Sequence, residues 1–115
     1  MSEYKFIGQT GQGRTKIDWP EEAQAIIVKL SIVDKVSASQ AFEVGVQMWN
    51  DGVAKGELQG QVIPLPLPPS YTNKNAASVL YGVKNRFLKR CNDGKAVAIA
   101  LAQKYGIIVS DELTQ

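Results

Sequence analysis

Residues 14–30 read Arg14-Thr15-Lys16-Ile17-Asp18-Trp19-Pro20-Glu21-Glu22-Ala23-Gln24-Ala25-Ile26-Ile27-Val28-Lys29-Leu30. After Ser31-Ile32-Val33-Asp34-Lys35 the chain continues Val36-Ser37-Ala38-Ser39-Gln40-Ala41-Phe42-Glu43-Val44-Gly45-Val46-Gln47-Met48-Trp49. Arg14 to Trp19 alternates polar and less polar residues, the pattern of a half-buried strand. Pro20 stops that strand and suits the first turn of a helix, where its missing N–H is harmless. Glu21 and Glu22 sit at the positive end of the expected helix dipole. Ala23, Ile26, Ile27 and Leu30 then fall at the i, i+3, i+4, i+7 spacing of a one-sided helix. Asp34-Lys35 marks a turn, and Ser37 or Ser39 offers an N-cap for a second helix. That helix carries Ala41, Phe42, Gly45, Val46 and Trp49 on one face, and Asn50-Asp51-Gly52 ends it.

A short strand and two helices cannot close a core alone. Below about 40 residues a fold usually needs disulfides, a metal or oligomerisation. Cys91 is the only cysteine and histidine is absent, which excludes an internal disulfide and most zinc or transition-metal sites. Pairing with a second copy is the remaining route, and a lone strand finds its ladder partner in the same strand of that copy. The expected fold is therefore mainly α, a strand–helix–helix unit forming an intertwined homodimer.

Outward from this unit, residues 1–13 read as a flexible arm, with Gly8, Gly11 and Gly13 and no periodicity. The pairing unit spans residues 14–56. Residues 57–71 read as an extended proline-rich linker, because Val62-Ile63-Pro64-Leu65-Pro66-Leu67-Pro68-Pro69 excludes both helix and interior strand. Residues 72–115 read as a two-helix region. Its first helix turns Leu80, Val83 and Phe87 inward and Asn85, Arg86 and Lys89 to another face. The second, from about Lys95 to Tyr105, is apolar on most sides and expected to be buried, with Gly106 as its cap.

The 115 residues are 44% hydrophobic and 21% charged, a globular composition. No apolar run approaches the roughly 20 residues of a membrane span. The start carries no signal-peptide pattern, so a cytoplasmic setting is expected. Charge is uneven: residues 1–60 sum to −2 and residues 61–115 to +4. Without histidine or a second cysteine, triad and thiol–imidazole catalysis are excluded, and no spacing suggests another mechanism. No enzyme, cofactor or metal is expected.

The alternating strand ending in Trp19-Pro20, the acidic Glu21-Glu22, the stripe Ala23, Ile26, Ile27, Leu30, and Val36-Ser37-Ala38-Ser39-Gln40-Ala41 together resemble the ribbon–helix–helix DNA-binding family over residues 14–50. The resemblance implies a homodimer whose paired strands enter the major groove of double-stranded DNA. It implies base contacts from Arg14, Lys16 and Asp18, although Asp18 stands where the family usually carries a neutral or basic residue. Phosphate contacts would come from the helix opening at Ser37, Ala38 and Ser39 and from Lys5. The dimer core would hold Ile17, Trp19, Ile26, Ile27, Leu30, Phe42, Val46 and Trp49. Lys84, Arg86, Lys89 and Arg90 form an accessory basic surface. The implied role is a transcriptional repressor of phage, plasmid or bacterial type. The rival reading is a protein-interaction module (an antitoxin, or a phage protein binding a host factor) that uses the dimer as scaffold and engages its partner through the C-terminal region.

Overall fold

A computed structural model describes residues 19–107. Four helices follow in order: α1 (Glu21–Ile32), α2 (Ala38–Ala54), α3 (Ala76–Asn92) and α4 (Ala96–Tyr105), with a 3-10 turn at Pro69–Tyr71 before α3. No strand occurs among the described residues. Arg14 to Asp18, most of the expected strand, lie outside them; Trp19 is within them and is not in a strand. The ribbon–helix–helix expectation is corrected to an arrangement that, over the described residues, is all-α with four helices.

The correction has a physical cause in α1. Beside the stripe Ala23, Ile26, Ile27 and Leu30, this helix also buries Ala25 and Val28. Ala25-Ile26-Ile27-Val28 is a continuous apolar run around the helix, and a helix apolar on all sides belongs in the middle of a core. Helices α2, α3 and α4 all pack against α1, so its cover comes from within the chain. Ile26, Ile27, Leu30, Phe42, Val46 and Trp49, expected in a dimer core, belong to one buried cluster with Leu80, Val83, Phe87, Leu88 and Ala98. The premise for obligatory pairing, an uncovered pair of helices, is thereby removed.

Local signals set the helix ends. Pro20 caps α1 from one position outside it, and its carbonyl accepts from Gln24 N–H at 3.0 Å. Ser37 caps α2, its hydroxyl accepting from Gln40 N–H at 3.3 Å. Gly106 ends α4 in the left-handed region at φ 73°, where a Cβ would be strained. Where α1 meets α2 the backbones come close: a Cβ on Gly45 would stand 2.6 Å from Ile27 Cγ1.

The proline-rich stretch is extended and fastened to α2. Trp49 Nε1–H donates to Gln61 O at 2.8 Å, and its ring lies where a Cβ on Gly60 would be. The Asn50 amide donates to Ile63 O at 2.9 Å and accepts from Ile63 N–H at 2.7 Å, completing both backbone groups of that residue. Ile63, Leu67 and Tyr71 are buried. Trp19, half-buried, stacks on Phe42 at 5.7 Å and meets Tyr71 edge-on at 5.4 Å. No helix among the described residues is long and apolar enough to cross a membrane.

Candidate nucleic-acid interface

Helix α3 carries the most concentrated positive charge among the described helices. Over Ala76–Asn92 the helix carries Lys84, Arg86, Lys89 and Arg90 and no carboxylate. Leu80, Val83, Phe87, Leu88 and Cys91 point into the core. Tyr81, Asn85 and Lys89, at i, i+4 and i+8, therefore form an exposed stripe. The Arg86 guanidinium lies back over Gly82, 3.3 Å from where a Cβ would be.

The structure divides the four expected basic residues. Arg86 is exposed and Lys84 half-buried, and neither makes an ion pair or hydrogen bond among the described residues. Lys89 pairs with Asp93 at 3.2 Å in an exposed contact of little energetic weight. Arg90 turns to the α1 end of the core: it meets Glu21 at 2.8 Å, donates to Gln24 and lies 5.9 Å from the Phe87 ring. Arg90 thus fixes α3 to the start of α1 and is withdrawn from any ligand surface. Four cations close in sequence do not share a face: Arg90 falls near the inward arc of Val83 and Phe87, and Lys84, one turn from both Leu80 and Leu88, lies on the opposite flank from Arg86.

Ser37 acts as a helix cap, and Ala38 and Ser39 form the half-buried first turn of α2. Lys5, Arg14, Lys16, Asp18 and Ile17 lie outside the described residues. Tyr81 and Asn85 carry the exposed face together with Arg86, yet Tyr81 is absent from the site expected from charge. Its signal is present in the sequence: it stands out of phase with Leu80 and Val83 on an amphipathic helix.

A second cluster joins the ends of α1 and α4. Tyr105 O–H donates to Glu22 Oε2 at 2.6 Å, and Lys104 Nζ donates to the same oxygen. Burial pushes the Glu22 carboxyl up, but hydrogen bonds from Lys104 and Tyr105 and the Lys104 charge outweigh it and hold the carboxyl below its ordinary range. Burial, then the hydrogen bond to Glu22 and its charge, raise the Tyr105 hydroxyl well above its ordinary value near 10. Glu22 with its lowered value stabilises the fold above the unfolded carboxyl range and loses that contribution as pH falls through the folded value. Tyr105 with its raised value stabilises below about pH 10 and loses that contribution as pH rises further. Thermal midpoints should therefore drop on both sides of this window, below roughly pH 4.5 and above roughly pH 10. In Tyr105→Phe the alkaline drop should be smaller; an unchanged alkaline limb would place its origin elsewhere.

Beside this cluster runs a groove of about 390 Å³ lined by Ile26, Met48, Leu58, Asp51, Lys55 and Lys104, among others. Another, of about 350 Å³, lies between Glu43 and Gln47 of α2 and Leu65-Pro66-Leu67. No group of three or more Cys, Asp or Glu stands placed to hold a metal among the described residues. Cys91 is buried, and burial pushes its thiol up, away from the reactive thiolate. No family model, curated protein or solved structure matches the chain.

Proposed function

We propose that the protein binds nucleic acid, laying the outward face of α3 along the phosphate backbone. The observation that carries this reading is the exposed side of α3, which presents Arg86 and Lys89 with no carboxylate over Ala76–Asn92. Phosphate neutralisation is the dominant source of affinity in such complexes, and an acid-free cationic face is what it requires. Asn85 adds a side chain able to donate and accept at base edges. Lys5, Arg14 and Lys16 supply further positive charge ahead of α1 in the sequence. The role is occupancy of the nucleic acid, as in a regulator, and not catalysis.

The test is fluorescence anisotropy on labelled duplex and single-stranded oligonucleotides across a salt series. Arg86→Glu combined with Lys89→Glu should weaken binding at least tenfold, about 1.4 kcal/mol. The salt slope should also become shallower by about two, one for each phosphate that the variant leaves unneutralised. Unaltered affinity and slope would remove α3 from binding.

A protein partner is the second reading. Val44 and Met48 stand exposed one turn apart on α2, and Leu65 is exposed at the proline-rich groove. A nuclease-resistant complex abolished in Met48→Glu but kept in the α3 double variant would favour it.

A further inference from the structure

Resting on the nucleic-acid reading above, we propose that the strand held on α3 is single-stranded and that Tyr81 is the platform on which one of its bases stacks. Tyr81 is 65% exposed, the most exposed large hydrophobic residue among those described. One exposed aromatic is ordinary by itself. What distinguishes Tyr81 is its surroundings on the helix.

One turn before it, at i−4 and i−3, stand Ala77 and Ser78, both exposed, and Gly82 follows it. Ala77 and Ser78 leave one side of the ring low and open to a flat base, while the Arg86 guanidinium lies over Gly82 on the other. One turn after it, at i+3 and i+4, stand Lys84 and Asn85, and Lys89 lies a further turn along. The face is thus divided into a flat aromatic half and a cationic, amide-bearing half. Tyr81 and Lys89 are separated by roughly 12 Å along the axis, at about 1.5 Å per residue. A flexible strand can place a base on the ring and its following phosphates against Lys89 and Arg86.

Duplex nucleic acid fits this face poorly. Its bases present edges in the grooves and keep their faces stacked on each other, so an aromatic ring in the middle of the interface finds no partner face. Unpaired bases offer a face of any sequence to an aromatic side chain, and a neighbouring cationic track holds the backbone. The absence of any acid over Ala76–Asn92 gives the charge complementarity that such a track needs.

The experiment compares a labelled oligothymidine of about 20 nucleotides with a blunt duplex of the same length, by anisotropy on the full chain. The single strand should bind more tightly than the duplex. Tyr81→Ala should weaken single-strand binding by about tenfold, while Tyr81→Phe keeps most of it. The salt slope should be unchanged in Tyr81→Ala, because an uncharged ring neutralises no phosphate, which separates stacking from general damage to the surface. Circular dichroism checks that the variants stay folded, as expected for a side chain outside the core. Equal or tighter binding of duplex, or single-strand binding indifferent to Tyr81→Ala, overturns the inference while leaving the nucleic-acid reading intact. Failure to bind either probe overturns both.

Discussion

Trp49→Ala is expected to cost about 3–5 kcal/mol, the range for deleting a large aromatic from a closed core. A domain of this size is stable by about 5–15 kcal/mol, so the variant should be marginal or unfolded. Trp49 is 1% exposed and bridges two parts of the molecule. Its ring fills the space above Gly60, and its Nε1–H completes the Gln61 carbonyl. Alanine removes the packing and leaves that carbonyl without its donor. Trp49→Phe keeps most of the ring without the hydrogen bond, and should cost less than Trp49→Ala. Urea unfolding followed by far-ultraviolet circular dichroism measures both. A cost below about 1.5 kcal/mol for Trp49→Ala would mean that the ring does not hold the proline-rich stretch.

Gly45→Val should destabilise by about 3 kcal/mol, near the upper end of the overpacking range. A Cβ there meets Ile27 Cγ1 at 2.6 Å and Ile27 Cα at 3.5 Å, and Ile27 is fully buried with nowhere to move. Valine adds two methyl groups to that Cβ, so α1 and α2 must separate. The gain in helix propensity over glycine is only a few tenths of a kcal/mol and does not offset the clash. Gly82→Ala in α3 is the matched control. There the nearest obstacle is the free end of Arg86. Alanine should stabilise by about 0.5–1 kcal/mol through reduced backbone entropy in the unfolded chain. The two substitutions should therefore move the urea midpoint in opposite directions; a fall at both would mean that Arg86 is more tightly held than its exposure indicates.

The helices themselves are legible in the sequence. Ser37 and Gly106 mark their termini through side-chain and left-handed capping, which are local effects that a sequence displays directly. The inward residues of α3 also follow from its period, since Leu80, Val83 and Phe87 recur at helical spacing. Misreading enters where two helices are both apolar all round. Ala25 and Val28 lie off the stripe of α1 and reveal it as the central helix, whereas α4 leaves Ala96, Val97 and Ala100 exposed and is peripheral. Hydrophobicity alone ranks these helices the wrong way, because α4 is rich in small alanines and packs mainly against α1 and α3, whereas α1 is covered by all three other helices. The proline-rich stretch likewise reads as a boundary from its backbone limits, yet Asn50 and Trp49 on a neighbouring helix tie it down. No local rule forecasts that pairing across a sequence distance of 12–13 residues. For the candidate site, charge singles out Lys84, Arg86, Lys89 and Arg90 alike but says nothing of which side each faces: Arg90 turns to Glu21 and Gln24, and the uncharged Tyr81 stands exposed.

The central position of α1 has a consequence for the protein as it is being made. Ala25-Ile26-Ile27-Val28 leaves the ribosome ahead of every helix that covers it, and its last cover, α4, arrives only with Ala96–Tyr105. Throughout that interval the nascent chain displays a run rich in β-branched residues, the kind of segment that seeks strand partners when bare. Glu21, Glu22 and Lys29 flank the run and act as electrostatic gatekeepers for it. The hazard to the cell is thus set by the speed of translation over residues 33–105, during which a holdase chaperone or a neighbouring polysome can reach what the finished molecule conceals.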